Sequence, residues 1–408
     1  MSWAPDALKT WAALERRALP LSARDVQAAS RAVAGTIAKL WAHRNNVGCL
    51  RLLFASLVIF GHAPEILDGN RAREPLTVIF HTVSLGELSV DAFFLISGYL
   101  ITRSMERAPN VFAYLERRVL RIYPAFIVAS IVSVFGLGVM LGAEPWRFLP
   151  KTLLRMALLL DPMRYPVAGG GSLTPALNGS MWTIIYEFRC YLLIAALGVT
   201  GLLKRRRLMA GLTLAALAAS IWATFPAPGA LLARLGRNGL LVALLGSPYP
   251  TLKLTAAFLA GSQFQLWREE VLPRLNGAVA AISLAAAGLL LYRDPHFAEA
   301  GLASFGAAAL FWLALKADIG PFQRINDRWD ISYGVYLYGW PAALVILSFI
   351  PSISPLTLAF ASLALALFAG ACSWWGVEKR TKDLVVIRQG PPTALPAPNV
   401  APAIEPPG

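Results

Sequence analysis

Near its C-terminal end the chain reads Leu356-Thr357-Leu358-Ala359-Phe360-Ala361-Ser362-Leu363-Ala364-Leu365-Ala366-Leu367-Phe368-Ala369-Gly370-Ala371-Cys372-Ser373-Trp374-Trp375, a stretch without a single charge. A helix needs about 20 apolar residues to cross the hydrocarbon core of a bilayer, so this stretch is long enough to span it. The same texture recurs in Tyr123–Leu141, Leu208–Phe225 and Leu275–Leu291. Lipid offers the backbone no water, so each run must satisfy its own hydrogen bonds, which a helix does. Over 408 residues the hydrophobic fraction is 57% and the charged fraction 15%, against roughly 25% charged in a soluble domain. The expected fold class is an all-α integral membrane protein.

About ten transmembrane helices are expected, near residues 48–64, 83–102, 122–142, 181–203, 208–225, 251–267, 275–292, 300–315, 331–350 and 354–376. With both termini cytoplasmic, Lys and Arg number 25 on the inner side, 9 on the outer side and 3 inside spans. That asymmetry follows the positive-inside rule. It assigns the net charge of +14 to membrane topology rather than to nucleic-acid binding. The tetrad Lys204-Arg205-Arg206-Arg207 and the cluster Arg117, Arg118, Arg121 contribute most.

Three regions follow from composition. Residues 1–46 form a basic cytoplasmic segment, in which Leu21–Arg44 reads either as an amphipathic surface helix or as a loosely ordered tail. Residues 47–380 form the membrane domain. Residues 381–408, rich in Pro and Ala, are expected to be disordered. Phe148–Leu160 is apolar but short and carries Lys151 and Arg155, so it reads as an interfacial or re-entrant piece. The loop from Gly169-Gly170-Gly171-Ser172 to Asn178-Gly179-Ser180 reads as a lid. The three cysteines and four histidines are scattered, so neither a disulfide framework nor a metal site is expected.

Ionisable residues inside a membrane are costly and usually functional. The spans hold Arg51, His62, Asp91, Glu187, Arg189 and Lys253, with Glu87 near a span end. Arg51 and His62 are eleven positions apart, close to three helical turns, so they share one face about 16 Å apart along the axis. The topology puts Arg51 toward the cytoplasm and His62 near the outer end. A cation below and an imidazole above suit a long anionic donor that enters from the cytoplasm. Asp91 needs a cationic partner, which Arg51 or His62 could supply. Glu187, at the depth of His62, could orient the imidazole. Arg118 and Arg121, spaced i, i+3, share a face and suit a phosphate clamp. Taken alone, each feature also has a structural reading: snorkelling, ion pairing, anchoring or packing.

The motifs together resemble those of the acyltransferase-three family of integral membrane acyltransferases over residues 48–380. Arg51 and His62 match its first-helix pair. Phe93-Phe94-Leu95-Ile96-Ser97-Gly98-Tyr99-Leu100 is similar to its second-helix motif. Arg118, Arg121, Ile122 and Pro124 match its arginine motif, and Trp182, Glu187 and Tyr191 its tryptophan helix. Ser332, Tyr333, Gly334, Tyr336 and Pro341 match the late-helix motif, and Val377-Glu378-Lys379 the closing one. Phe188 stands where many relatives carry a second glutamate, and Gly339 where many carry a histidine. His62 is thus the one strong candidate base.

The resemblance implies acetyl-CoA or another acyl-CoA as donor, a cell-surface or exported glycan as acceptor, no metal, and a multi-pass protein of the bacterial inner membrane. His62, Glu187 and Asp91 become candidate catalytic residues, with direct transfer and an acyl-histidine both open. Arg51, Arg118, Arg121, Ser97 and Tyr333 become candidate donor-binding residues. The rival reading is a polytopic transporter or flippase, but no internal repeat of the kind common in transporters is visible.

Overall fold

Helix starts coincide with short polar side chains that satisfy the free amides of a first turn. Asn110 accepts from the Ala113 amide at 2.9 Å, Asn276 from Val279 at 3.0 Å and Ser354 from Thr357 at 3.2 Å. Ser84 and Glu87 form a reciprocal capping box. The computed structural model describes residues 45–162, 176–326 and 329–389. The expected helix over 21–44 and the glycine run 169–171 lie outside the described residues.

Ten main helices result, one in each expected span: α1 Val47–Asp68, α2 Leu85–Glu106, α3 Val111–Ile131, α4 Ile184–Val199, α5 Arg206–Ala223, α6 Pro248–Leu266, α7 Gly277–Arg293, α8 Ala307–Leu315, α9 Ser332–Phe349 and α10 Pro355–Ser373. There is no strand among the described residues. Among the described residues seven helical stretches are long and apolar enough to cross a membrane, or nine if two bent pairs each count as one span. The bends are 97° between α5 and Pro226–Leu235, and 96° between Arg268–Arg274 and α7. Length and apolarity do not single out α6, which carries Lys253, Ser262, Gln263 and Gln265. It is enclosed by protein instead: Leu254 and Ala256–Ser262 are all buried.

Glycine permits the closest approach at that centre. A Cβ on Gly98 of α2 would run into the Phe258 carbonyl of α6, and one on Gly261 would run into the Leu95 carbonyl. The two backbones therefore touch, as small residues allow in membrane helices. Gly334 of α9 meets Gly370 of α10 in the same way.

Phe148–Leu160 contributes only a nine-residue helix, Leu149–Ala157, too short to span. Three segments wind as π-helix: Val132–Gly138 after α3, Leu302–Gly306 before α8, and Trp374–Glu378 after α10. The last leads into a further helix, Lys379–Gln389. The segment expected to be disordered from residue 381 therefore begins as helix, because the chain continues from α10 without a break. Residues 390–408 lie outside the described residues.

Candidate active site

At the end of the bundle that holds Arg51, a loop carboxylate gathers two guanidinium groups. Arg51 Nη1 and Arg121 Nη2 both donate to Asp330 Oδ2 at 2.7 Å, and Arg121 Nη1 donates to Glu378 Oε2 at 2.8 Å. The other oxygen of Asp330 accepts from Ser332 Oγ at 2.5 Å and Asn326 Nδ2 at 3.2 Å. Burial alone would push the Asp330 carboxyl up, but Arg51 and Arg121, with those hydrogen bonds, hold it well below the usual carboxylate range. Asp91, expected as a partner for Arg51, is not in this cluster. It lies several turns along α2, toward the other end.

The Arg121 guanidinium lies 5.5 Å from the centroid of Tyr333, whose hydroxyl donates to the Ile122 carbonyl at 3.2 Å. Arg118 is held differently. Its guanidinium sits 6.0 Å from the Tyr114 ring centre and 5.8 Å from that of Tyr191. Among the described residues no carboxylate pairs with it, and its Nε has no hydrogen-bond partner. Arg117, Arg118, Arg121 and Lys382 face two carboxylates, Asp330 and Glu378, around a vestibule of about 320 Å³. Cations outnumber anions there, which suits a phosphorylated ligand.

Next along the bundle is a neck of only about 40 Å³, with Arg51, Phe93, Phe94, Glu187, Tyr333 and Tyr336 in its wall. Glu187 Oε1 accepts from Tyr191 OH at 2.6 Å and from Ser97 Oγ at 2.8 Å. Ser97 thus reaches the neck through Glu187. Arg189 lies over the Tyr186 ring at 5.5 Å, away from Glu187. Thr183 and Tyr336 share a hydrogen bond of 2.6 Å across the same wall.

Beyond Val90 and Tyr336, which wall both spaces, a chamber of about 250 Å³ contains His62. His62 Nδ1 lies 2.9 Å from Glu65 Oε2, and Arg71 Nε donates to the same oxygen at 3.1 Å. A carboxylate accepts, so this contact puts a proton on Nδ1, and the neutral imidazole then carries its lone pair on Nε2. The Trp340 ring meets the imidazole edge-on at 4.9 Å between centroids, and its indole donates to the Ala176 carbonyl at 2.8 Å.

The expected partners of His62 are corrected here. Neither Glu187 nor Asp91 contacts it. Glu65, one turn along the same helix, is nearer by construction. Asp91 instead faces Lys253 at 3.6 Å, and both its oxygens lack a hydrogen bond. Lys253 Nζ donates to Glu299 Oε1 at 2.6 Å and Tyr249 OH to Glu299 Oε2 at 2.8 Å. Glu65, Glu299 and Asp330 escaped the sequence reading because they lie at or beyond span ends. Only Glu65 carried a local signal, its i+3 spacing from His62.

Gly339 explains the departure from the histidine pattern. A Cβ there would lie 2.6 Å from Ile59 Cγ1, so the packing of α1 on α9 fills the space a side chain would need. Among the described residues no group of three or more His, Cys, Asp or Glu could hold a metal ion.

The bundle of membrane-spanning helices thus has a basic vestibule at one end and a carboxylate-oriented histidine at the other. A family model described as an acyltransferase domain matches residues 44–375. The chain therefore belongs to that family, the acyltransferase-three family, and is a multi-pass membrane acyltransferase. It is 25% identical over 351 residues to the O-acetyl transferase of Shigella phage Sf6, covering 83% of this chain and 96% of that protein. It is 27% identical over 332 residues to nodulation protein 10 of Rhizobium leguminosarum bv. viciae, covering 72% and 82%. A shorter match, 26% over 145 residues, joins it to the acyltransferase MdmB of Streptomyces mycarofaciens, covering 34% and 35%. No solved structure matches the chain.

Proposed function

We propose that the protein transfers an acetyl group from acetyl-CoA to a hydroxyl of a cell-surface or exported glycan at the bacterial inner membrane. One observation carries this reading: three cavities follow one another along the bundle, from the basic vestibule through the neck to the His62 chamber. Arg118, with Arg117 and Lys382 beside it, takes the phosphates of the coenzyme on the cytoplasmic side. Arg121, already tied to Asp330 and Glu378, shapes the mouth. The thin pantetheine arm suits the narrow neck, where Arg51 and Glu187 offer polar contacts. The thioester then arrives beside His62.

The chemistry follows from the tautomer. The acceptor hydroxyl gives its proton to His62 Nε2 as its oxygen attacks the thioester carbonyl. Glu65 stabilises the imidazolium that forms, as a carboxylate does for an imidazole it already orients. The carbon–sulfur bond breaks, the proton passes from Nε2 to the leaving sulfur, and the products are an acetyl ester and free coenzyme A. Glu87, Lys253 and Trp182, also in the chamber wall, supply the mixture of polar groups and aromatic surface that a sugar needs. The names of the phage and Streptomyces relatives support acyl and acetyl transfer.

The test is His62→Ala in purified protein given acetyl-CoA labelled in its acetyl group and glycan from the producing cells. Loss of a positioned base costs about 10²–10⁴-fold in rate, so labelling of the glycan should fall by that factor while the variant still inserts and folds. Undiminished labelling would refute the role of His62. A wild-type protein that leaves the thioester intact would point to transport instead.

A further inference from the structure

A second cavity at the His62 end has no part in the donor path. It is an open cleft of about 550 Å³ where the ends of α5 and α7, the helix Pro226–Leu235 and the start of α6 come together. Tyr249 and Pro250 stand in its wall and also in the wall of the His62 chamber. One side chain layer therefore separates the two spaces, and the Tyr249–Glu299 hydrogen bond of 2.8 Å holds that layer in place.

The cleft's wall is uncharged and proline-rich, with Tyr249 and His296 as its aromatic faces. His296 stacks on Phe225 with 4.2 Å between centroids and 7° between planes, and its Nδ1 meets Thr224 Oγ1 at 2.8 Å. Pro248, Pro250 and Pro295 add flat apolar faces. Inside the chamber two cations face four carboxylates, Arg71 with Glu65 and Glu87, Lys253 with Glu299 and Asp91. The excess is negative, which disfavours an anionic ligand there. Flat faces with the hydroxyls of Thr224, Ser247 and Tyr249 and the His296 imidazole fit pyranose rings, whose C–H faces stack and whose hydroxyls hydrogen-bond.

We infer that this cleft is the acceptor's access groove: an uncharged stretch of the glycan strand lies across His296, which Phe225 backs, and delivers one sugar past Tyr249 to His62. The inference rests on the acetyl-transfer reading above and extends it. It makes the enzyme a reader of several consecutive sugars, with the reacting unit in the chamber and its neighbours in the cleft.

Gly229, in the cleft wall, gives a direct test. A Cβ there meets only the Ala223 carbonyl, at 3.8 Å, so a side chain can be added without a clash at its root. Gly229→Trp would fill the cleft. The probes are the glycan's own repeat unit and fragments of two to five repeats, with labelled acetyl-CoA as donor. In the wild type, acceptor KM should fall with fragment length by at least tenfold. In Gly229→Trp the longer fragments should lose that advantage, while KM for acetyl-CoA stays within twofold. As a second route, Thr224→Cys is folded first and then modified with a polyethylene-glycol maleimide, which should suppress acetylation of long fragments at least tenfold relative to the same sample before modification. If both the filled and the modified cleft keep the wild-type length dependence, the groove is overturned while the donor path and His62 chemistry stand. A protein that never consumes acetyl-CoA overturns the acetyl-transfer reading itself.

Discussion

The two ends of the bundle use the same kinds of charge and hold them in opposite ways. At the Arg51 end, three contacts of 2.7–2.8 Å lock two arginines to Asp330 and Glu378. These residues come from α1, α3, the segment before α9 and the turn after α10, so the cluster fastens four parts of the chain. At the His62 end the contacts spread from 2.6 Å for Lys253–Glu299 to 3.6 Å for Lys253–Asp91, and Asp91 has no hydrogen bond to either oxygen. A fully satisfied ionic network fixes structure, whereas an imperfectly satisfied one retains polar capacity for a ligand. The Asp330 cluster is thus a joint, while Arg118 beside it and the charges around His62 keep capacity for a ligand.

Substitutions at four positions test that contrast. Asp330→Ala should do the most damage to folding. It leaves two guanidinium groups facing each other, and removing one partner of such a partly buried cluster costs about 3 kcal/mol, more than a hundredfold in the folded-to-unfolded ratio. Thermal unfolding in detergent reads this directly. The sign with pH is fixed by the depressed carboxyl: its stabilisation is complete above about pH 4 and fades only as the pH falls below that range. Asp330→Asn and the wild type should therefore converge in thermal midpoint only in strong acid.

Glu65→Gln should leave folding nearly intact and lower kcat by tens of fold, because a neutral amide no longer stabilises the imidazolium. Its KM for acetyl-CoA should be unchanged, and a parallel rise in that KM would contradict the assignment of Glu65 to the base. Arg118→Ala should raise KM for acetyl-CoA by about tenfold, the worth of one charge-assisted hydrogen bond, with kcat little altered. Rising salt should weaken the wild type more than this variant. Arg73→Ala, which removes an exposed pair with Asp68 at 2.5 Å, should change rate and stability by less than about twofold.

How much of this was legible in the sequence depends on the range of the interaction. The helices were legible because hydropathy is local: all ten segments are helical where the apolar runs fall. The shared face of Arg51 and His62 followed from helix geometry alone. The pairing of charges did not. Asp330 lies 279 positions from Arg51, and nothing in its neighbourhood marks it as the group that two arginines share. Lys253 and Asp91 were both singled out, but their mutual contact depends on the Gly98–Gly261 crossing, which only packing shows. Glu65 is the instructive miss. Its spacing from His62 is a local signal, but a carboxylate near a span end is easily assigned to the water interface.

The π-helical segment Trp374–Glu378 has one consequence of its own. A π turn is equivalent to one residue inserted into an α-helix, and here the surplus residue sets where Glu378 points to meet Arg121. The wide turn absorbs that residue, so Lys379–Gln389 keeps the face an unbroken helix would give it. Deleting a single codon inside the turn would therefore leave Lys382 at the vestibule, whereas deleting one between Lys379 and Lys382 would swing Lys382 away by about 100°. Length variation should be tolerated in the turn and not in the helix that follows it.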